Sequence, residues 1–299
     1  MNNKKIRANF LLLFASFIWG SAFVAQRVGM EHIGPFTFNA VRMLVAGVAL
    51  SVVVLIFKKT NKVNTEPGTY SKKALYLGGF FCGSILFIAS SFQQTGLMFT
   101  IAGKAGFITT LYIIFVPLLG LFLKKRIGAK IWVSVFLGLA GLFFLSFVEN
   151  MQLNLGDVLM LFCAIGYAVH IILVDRYAAR ADSVKLSCLQ FFVAALFSCI
   201  VMFVFESPSV TYILMSWLPI LYVGVLSGAL GFTLQIIAQK DTSPAVAALL
   251  MSFEAVFAAF TGFVILNEVL TPRELVGCFL MFLAVMLAQM PSLKKNPNQ

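Results

Sequence analysis

Long apolar runs separated by short polar or basic segments set the pattern of this chain. Ten such runs can be read, at 8–28, 35–57, 74–95, 101–123, 131–148, 155–174, 186–205, 212–238, 244–266 and 275–290. About 20 apolar residues rising ~1.5 Å each cross a hydrocarbon core of ~30 Å, so each run predicts one membrane-spanning helix. The third and fourth runs are divided by Gln93, Gln94, Thr95 and Gly96. The longest connection, 58–73, is built of Asn, Thr, Gly, Pro and Lys and reads as a solvated linker. The predicted fold class is all-α integral membrane, without a separate soluble domain.

The runs repeat. LFASFIWGSAF (13–23) aligns with LFCAIGYAVHI (161–171), and FNAVRMLVA (38–46) with LSCLQFFVA (186–194), which sets Arg42 opposite Gln190. TIAGKAGFITTLY (100–112) aligns with TSPAVAALLMSFE (242–254), a match extending from Gln93 against Gln235 to Gly120 against Gly262. Two halves of five spans result, 1–148 and 149–299. Five is odd, so the second half enters the membrane in the opposite sense. Inverted repeats place a substrate site near the midplane at the repeat interface.

Composition excludes the soluble classes. Of 299 residues, 61% are hydrophobic and 11% charged, against about 25% charged in soluble domains. The net charge of +11 does not signal nucleic acid, because the positives sit in short clusters between spans and no basic stripe is interleaved with aromatics. With the N-terminus in the cytoplasm, 18 of the 22 Lys and Arg residues fall on the inner side, among them Lys4, Lys62, Lys124, Lys125, Arg126, Lys294 and Lys295. This predicts a multi-pass cell-membrane protein with both termini cytoplasmic. The basic start before the first run imitates a signal peptide but lacks a small-residue cleavage site, so it reads as an uncleaved span. The five cysteines all lie inside apolar runs and form no CxxC pair; they read as small hydrophobes. No cofactor or metal motif is present. The expected partners are the lipid bilayer and a small-molecule substrate, with a homo-oligomer left open.

The segments WGSAF, PFTFNAVRMLVAG, TIAGKAGFITTLY and TSPAVAALLMSFEAVFAAFTGFVILNE together resemble the EamA-type family of the drug/metabolite transporter superfamily. Each is common alone; their order in both halves carries the resemblance across essentially the whole chain. It implies a ten-helix carrier with a central cavity between two EamA-like repeats, often an exporter of amino acids or other small metabolites. The chain departs from the pattern at Glu254–Ala255, where the family usually has Glu-Pro, and at Lys125, where an acidic residue is usual. The resemblance therefore supplies no proline kink after Glu254.

Glu254 stands near the middle of the ninth run. A carboxylate there costs roughly 2.5–3.5 kcal/mol on insertion scales, so it faces a protein interior or an aqueous cavity. It serves either as a polar plug between helices or as a group that exchanges a proton or pairs with a substrate amine. Arg42 lies about 10 Å into the second span, at ~1.5 Å per residue, and is read as an interhelical partner or an anion contact. Lys104, near the outer end of the fourth span, either snorkels to the interface or joins Arg42, Gln93 and Gln94 on the outer side of the first half. His170 is an interior hydrogen-bonding group or a proton relay. Trp19, Tyr112, Tyr167 and Gln190 pack the core or line a cavity. The GxxxG spacings Gly79–Gly83 and Gly224–Gly228 favour close helix approach.

No HExxH, P-loop or GxSxG motif is present, so no enzyme is expected. The reading that remains is a secondary transporter working by alternating access, exporting small metabolites or amino acids, with proton coupling as an option. Its rival is an exchanger of anionic or phosphorylated metabolites that uses Arg42 and Lys104.

Overall fold

A computed structural model describes residues 3–59, 70–100, 102–125, 127–146, 154–266 and 271–290. Lys62, Arg126, Lys294 and Lys295, weighed above for sidedness, lie outside them. The described residues form helices: α1 (Asn3–Gly29), α2 (Pro35–Lys59), α3 (Lys72–Leu97), α4 (Ala102–Thr110), α5 (Tyr112–Phe122), α6 (Ala129–Ser146), α7 (Leu155–Ala178), α8 (Ser183–Phe205), α9 (Val210–Met215), α10 (Trp217–Leu221), a π-helical segment (Tyr222–Phe232), α11 (Thr233–Ala238), α12 (Pro244–Met251), α13 (Glu254–Leu266) and α14 (Pro272–Gln289). Among them nine continuous stretches are long and apolar enough to cross a membrane, and Ala129–Phe144 is a shorter tenth.

Three runs expected as single helices are interrupted. The fourth span breaks at Leu111, the ninth at Ser252 and Phe253, and the eighth passes through the π segment. The break before Glu254 needs no proline. Ser252 Oγ instead donates back to the Leu249 carbonyl at 2.9 Å, a contact that bends helices.

Contacts between helix ends fix the directions of the spans. Asn9 Nδ2 donates to Gln289, and Lys130 to the Met290 carbonyl. Lys125 pairs with Asp175 at 2.7 Å, Ser71 N reaches the Arg180 carbonyl at 3.0 Å, and Lys240 Nζ reaches Tyr70 Oη at 3.3 Å. These gather the starts of α1, α3 and α6 with the ends of α5, α7, α11 and α14 on one face, which also carries the basic clusters. On the opposite face Gln94 Nε2 meets Met30 Sδ at 3.2 Å, Arg273 Nε reaches the Phe144 carbonyl at 3.2 Å, and Glu206 accepts from Phe36 N (2.9 Å) and Thr37 N (2.7 Å) at the start of α2. Thus α1 and α7, which open the two halves, run in opposite directions. The halves are inverted.

Packing follows the same symmetry. The first span α1 lies along α13, and its counterpart α7 lies along α4 and α5. The second spans of the halves, α2 and α8, pack on each other, as do the fifth spans, α6 and α14. At the α3–α8 contact a Cβ on Gly83 would stand 2.6 Å from the Gln190 carbonyl, so the GxxxG spacing brings two backbones together. Burial is inside-out relative to a soluble protein. Phe10, Leu55, Phe122, Phe136 and Phe203 point outward, while Asn39, Gln94, Asp157, His170, Gln235 and Glu254 are buried. Only lipid makes such an exterior favourable, and only an interior with polar partners tolerates such a core.

Candidate functional site

The site begins where two broken spans meet. Glu254 opens α13, which places its carboxylate at the favourable N-terminal end of that half-helix. Tyr112 opens α5 and donates to Glu254 Oε1 at 3.2 Å. Both side chains are buried. Gly20 brings α1 directly against this point, for a Cβ there would lie 2.5 Å from the Glu254 carbonyl and 2.8 Å from Ala258 N. Its neighbour Trp19 donates Nε1–H to the Ser227 carbonyl at 3.0 Å, in the π segment. The WG pair thus ties the first span to both the eighth and the ninth.

Around Tyr112 and Glu254 lies a cavity of about 50 Å³. Its lining is paired by the repeat. Trp19 and Tyr167 stand at equivalent positions, as do Phe23 and Ile171, Gln93 and Gln235, Thr109 and Met251, and Tyr112 and Glu254. A cavity lined by equivalent residues of two inverted halves sits on the axis that relates them. Gln26, Arg42, His170, Ser227 and Phe232 complete it.

Arg42 is 7% exposed. Its Nε donates to Asn39 Oδ1 at 2.8 Å and its Nη1 to Gln26 Oε1 at 3.4 Å, while Nη2 is buried without a hydrogen-bond partner. Tyr167 Oη donates to Gln93 Oε1 at 3.1 Å. His170 shares a 3.0 Å hydrogen bond with Gln190 Oε1 and sets its ring against Phe232, with centroids 5.6 Å apart.

Two expected site residues lie elsewhere. Gln190 is fully buried behind His170 and does not line the cavity; its amide oxygen is used to hold the imidazole. Lys104 neither snorkels nor joins Arg42. Its Nζ lies 2.6 Å from Asp157 Oδ2 in a buried ion pair. Asp157 also accepts from Thr100 Oγ1 at 3.2 Å and caps α7 through Asn154 N at 2.9 Å. A buried lysine takes a carboxylate where one is in reach, so the ion pair staples the fourth span of the first half to the first span of the second.

Among the described residues no group of three or more His, Cys, Asp or Glu side chains is placed to hold a metal ion. The cavity presents one guanidinium, one carboxyl and several amide and hydroxyl groups on its wall.

Comparison with known proteins agrees with this geometry. The model of the EamA-like transporter family matches twice, over residues 6–147 and 154–290. The chain belongs to the EamA-like transporter family. This EamA-like transporter is 30% identical over 292 residues to an uncharacterized transporter of Archaeoglobus fulgidus, covering 96% of this chain and 87% of the relative. It is 22% identical over 276 residues to the uncharacterized transporter YoaV of Bacillus subtilis, covering 90% and 92% of the two chains. A solved crystal structure superposes with a TM-score of 0.77 at 18% identity, over 94% of this chain and 96% of the other, and shares the fold. The EamA-like transporter is a multi-pass membrane protein.

Reading the sequence of this EamA-like transporter span by span missed Phe23, Gln26, Thr109, Ile171, Ser227, Phe232, Gln235 and Met251. The repeat carried a signal for several of them: the alignment that sets Gln93 against Gln235 and Tyr112 against Glu254 also sets Thr109 against Met251. No comparable signal marks Ser227 and Phe232, which are equivalent to Ile85 and Ser90 in the regular third span.

Proposed function

We propose that this transporter exports small metabolites or amino acids across the cell membrane by alternating access, with Glu254 as the group that couples transport to protons. The observation that carries the reading is a buried carboxyl at the repeat axis, on the wall of a cavity that Gln26, Arg42, Gln93 and Gln235 also line. A group on that axis changes surroundings when one half rocks against the other. The basic face is read as cytoplasmic, with both termini there, because Lys and Arg collect on that side. Exchange of phosphorylated metabolites through Arg42 and Lys104 is the weaker reading, since Lys104 is held by Asp157.

The test compares the medium of cells expressing the wild type, Glu254→Gln or an empty vector, at matched membrane levels, by untargeted metabolite analysis. A compound class that accumulates outside only with the wild type supports export and identifies the cargo. Media that match the vector control sink the export reading and put uptake ahead.

A further inference from the structure

The guanidinium of Arg42 is the feature of the cavity that the coupling role of Glu254 leaves unexplained. Arginine keeps its proton in proteins, so this charge is permanent. Taking such an ion out of water costs several kcal/mol unless a counter-charge and hydrogen bonds compensate. Asn39 and Gln26 supply two neutral acceptors, the second at a long 3.4 Å. Nη2 is left buried and unpaired. The two ion pairs among the described residues, Lys104–Asp157 and Lys125–Asp175, do not involve Arg42. The side chain borders the cavity, and its Nη1–Nη2 edge is the one not committed to Asn39.

We propose that this edge receives the carboxylate of the substrate, a monoanionic organic acid whose apolar body lies against Trp19, Phe23 and Phe232. The inference rests on the reading of the cavity as the transport site. A carboxylate matches the guanidinium edge with two parallel N–H···O bonds, trading the long Gln26 contact and filling the vacant donor. One charge selects a monoanion. Arg42 is the one Lys or Arg among the described residues lining the cavity, so a phosphate dianion meets half the charge it requires. The aromatic side fits an apolar body: Trp19 and Phe232 stand with ring centroids 5.0 Å apart, and Phe23 lines the same space.

The test uses the full chain in lipid nanodiscs, with 3-phenylpropionate, its neutral amide 3-phenylpropionamide, phenethylamine and inorganic phosphate as probes in thermal-shift and calorimetric titrations. The acid is expected to bind and raise the melting temperature, with the amide at least about tenfold weaker because it forgoes charge-assisted hydrogen bonds. The amine and phosphate are expected to give no shift. Arg42→Gln removes binding of the acid and Arg42→Lys keeps part of it. If Arg42→Gln does not fold, the comparison of acid with amide on the wild type decides. Amide or amine binding as tightly as the acid, a wild type that ignores the acid, or a folded Arg42→Gln with unchanged affinity overturns the proposal. Maleimide labelling of Thr109→Cys from each face of sealed vesicles tests the transport reading separately. Labelling from both faces beside a failed acid titration removes this inference and leaves that reading standing; labelling from neither face removes the reading itself.

Discussion

Tyr112 and Glu254 occupy equivalent positions in the two halves, 142 residues apart, and meet in a 3.2 Å hydrogen bond. Each opens the second segment of a broken span, α5 and α13 respectively. A bond between equivalent positions of two inverted repeats lies on the pseudo-two-fold axis that relates the halves. Both side chains form part of the cavity wall.

For Tyr112→Phe, which keeps the ring and deletes the donor, the prediction is a transport rate about 10-fold lower or more, since hydrogen bonds to charged groups contribute ~1.5–3 kcal/mol. Its pH profile should also differ from that of the wild type, and Glu254→Gln should flatten the profile altogether. The measurement is flux of the identified cargo against pH in vesicles. Superimposable profiles for Tyr112→Phe and wild type would remove the hydroxyl from the mechanism.

Gly20→Ala is predicted to destabilise the protein by about 1–3 kcal/mol, the usual cost of overpacking a tight contact. The obstacle is backbone, the Glu254 carbonyl at 2.5 Å, which cannot swing aside as a flexible side chain does. A thermal melt in detergent reads the effect. A melting temperature equal to that of the wild type would mean that α1 and α13 separate without penalty.

The buried pair of Lys104 and Asp157 should behave non-additively. Asp157→Asn or Lys104→Met alone strands a charge or breaks the cap and is expected to cost roughly 3–5 kcal/mol, whereas the double variant should recover much of the loss. A double-mutant cycle on melting temperature or denaturant midpoint checks this. Additive losses would show that the two side chains stabilise the fold independently.

Lys124 ends α5 at φ 58°, in the left-handed region that costs residues with a Cβ about 1–2 kcal/mol. Lys125 N closes the turn on the Gly120 carbonyl at 2.9 Å. Lys124→Gly is predicted to stabilise the protein by about 0.5–1 kcal/mol. A lower melting temperature for the glycine variant would show that the lysine side chain contributes more than its strained backbone costs.

Much of the site was legible once the repeat was recognised, because Tyr112 against Glu254 and Gln93 against Gln235 are sequence equivalences before they line one cavity. Lys104 shows where that legibility ends. Its partner Asp157 is 53 residues away in the chain, and the repeat offers no matching pair, for the equivalent positions hold Val246 and Asn9. Nor does the apolar run 244–266 announce its break at Ser252 and Phe253, or the run 212–238 its π segment.

By itself the sequence determined an all-helical membrane architecture of nine or ten apolar spans, the inversion of its two halves and the equivalence of Tyr112 with Glu254. These depend on local hydrophobicity and on an internal repeat, both of which are one-dimensional properties of the chain. The tertiary structure alone decided which way each buried polar side chain turns. It sent Lys104 to Asp157, Gln190 to His170 and Trp19 to the Ser227 carbonyl, and it left Arg42 Nη2 unpaired at the cavity. Those choices belong to the packing of helices distant in sequence, where a buried donor takes whichever acceptor the neighbouring helix brings within about 3 Å.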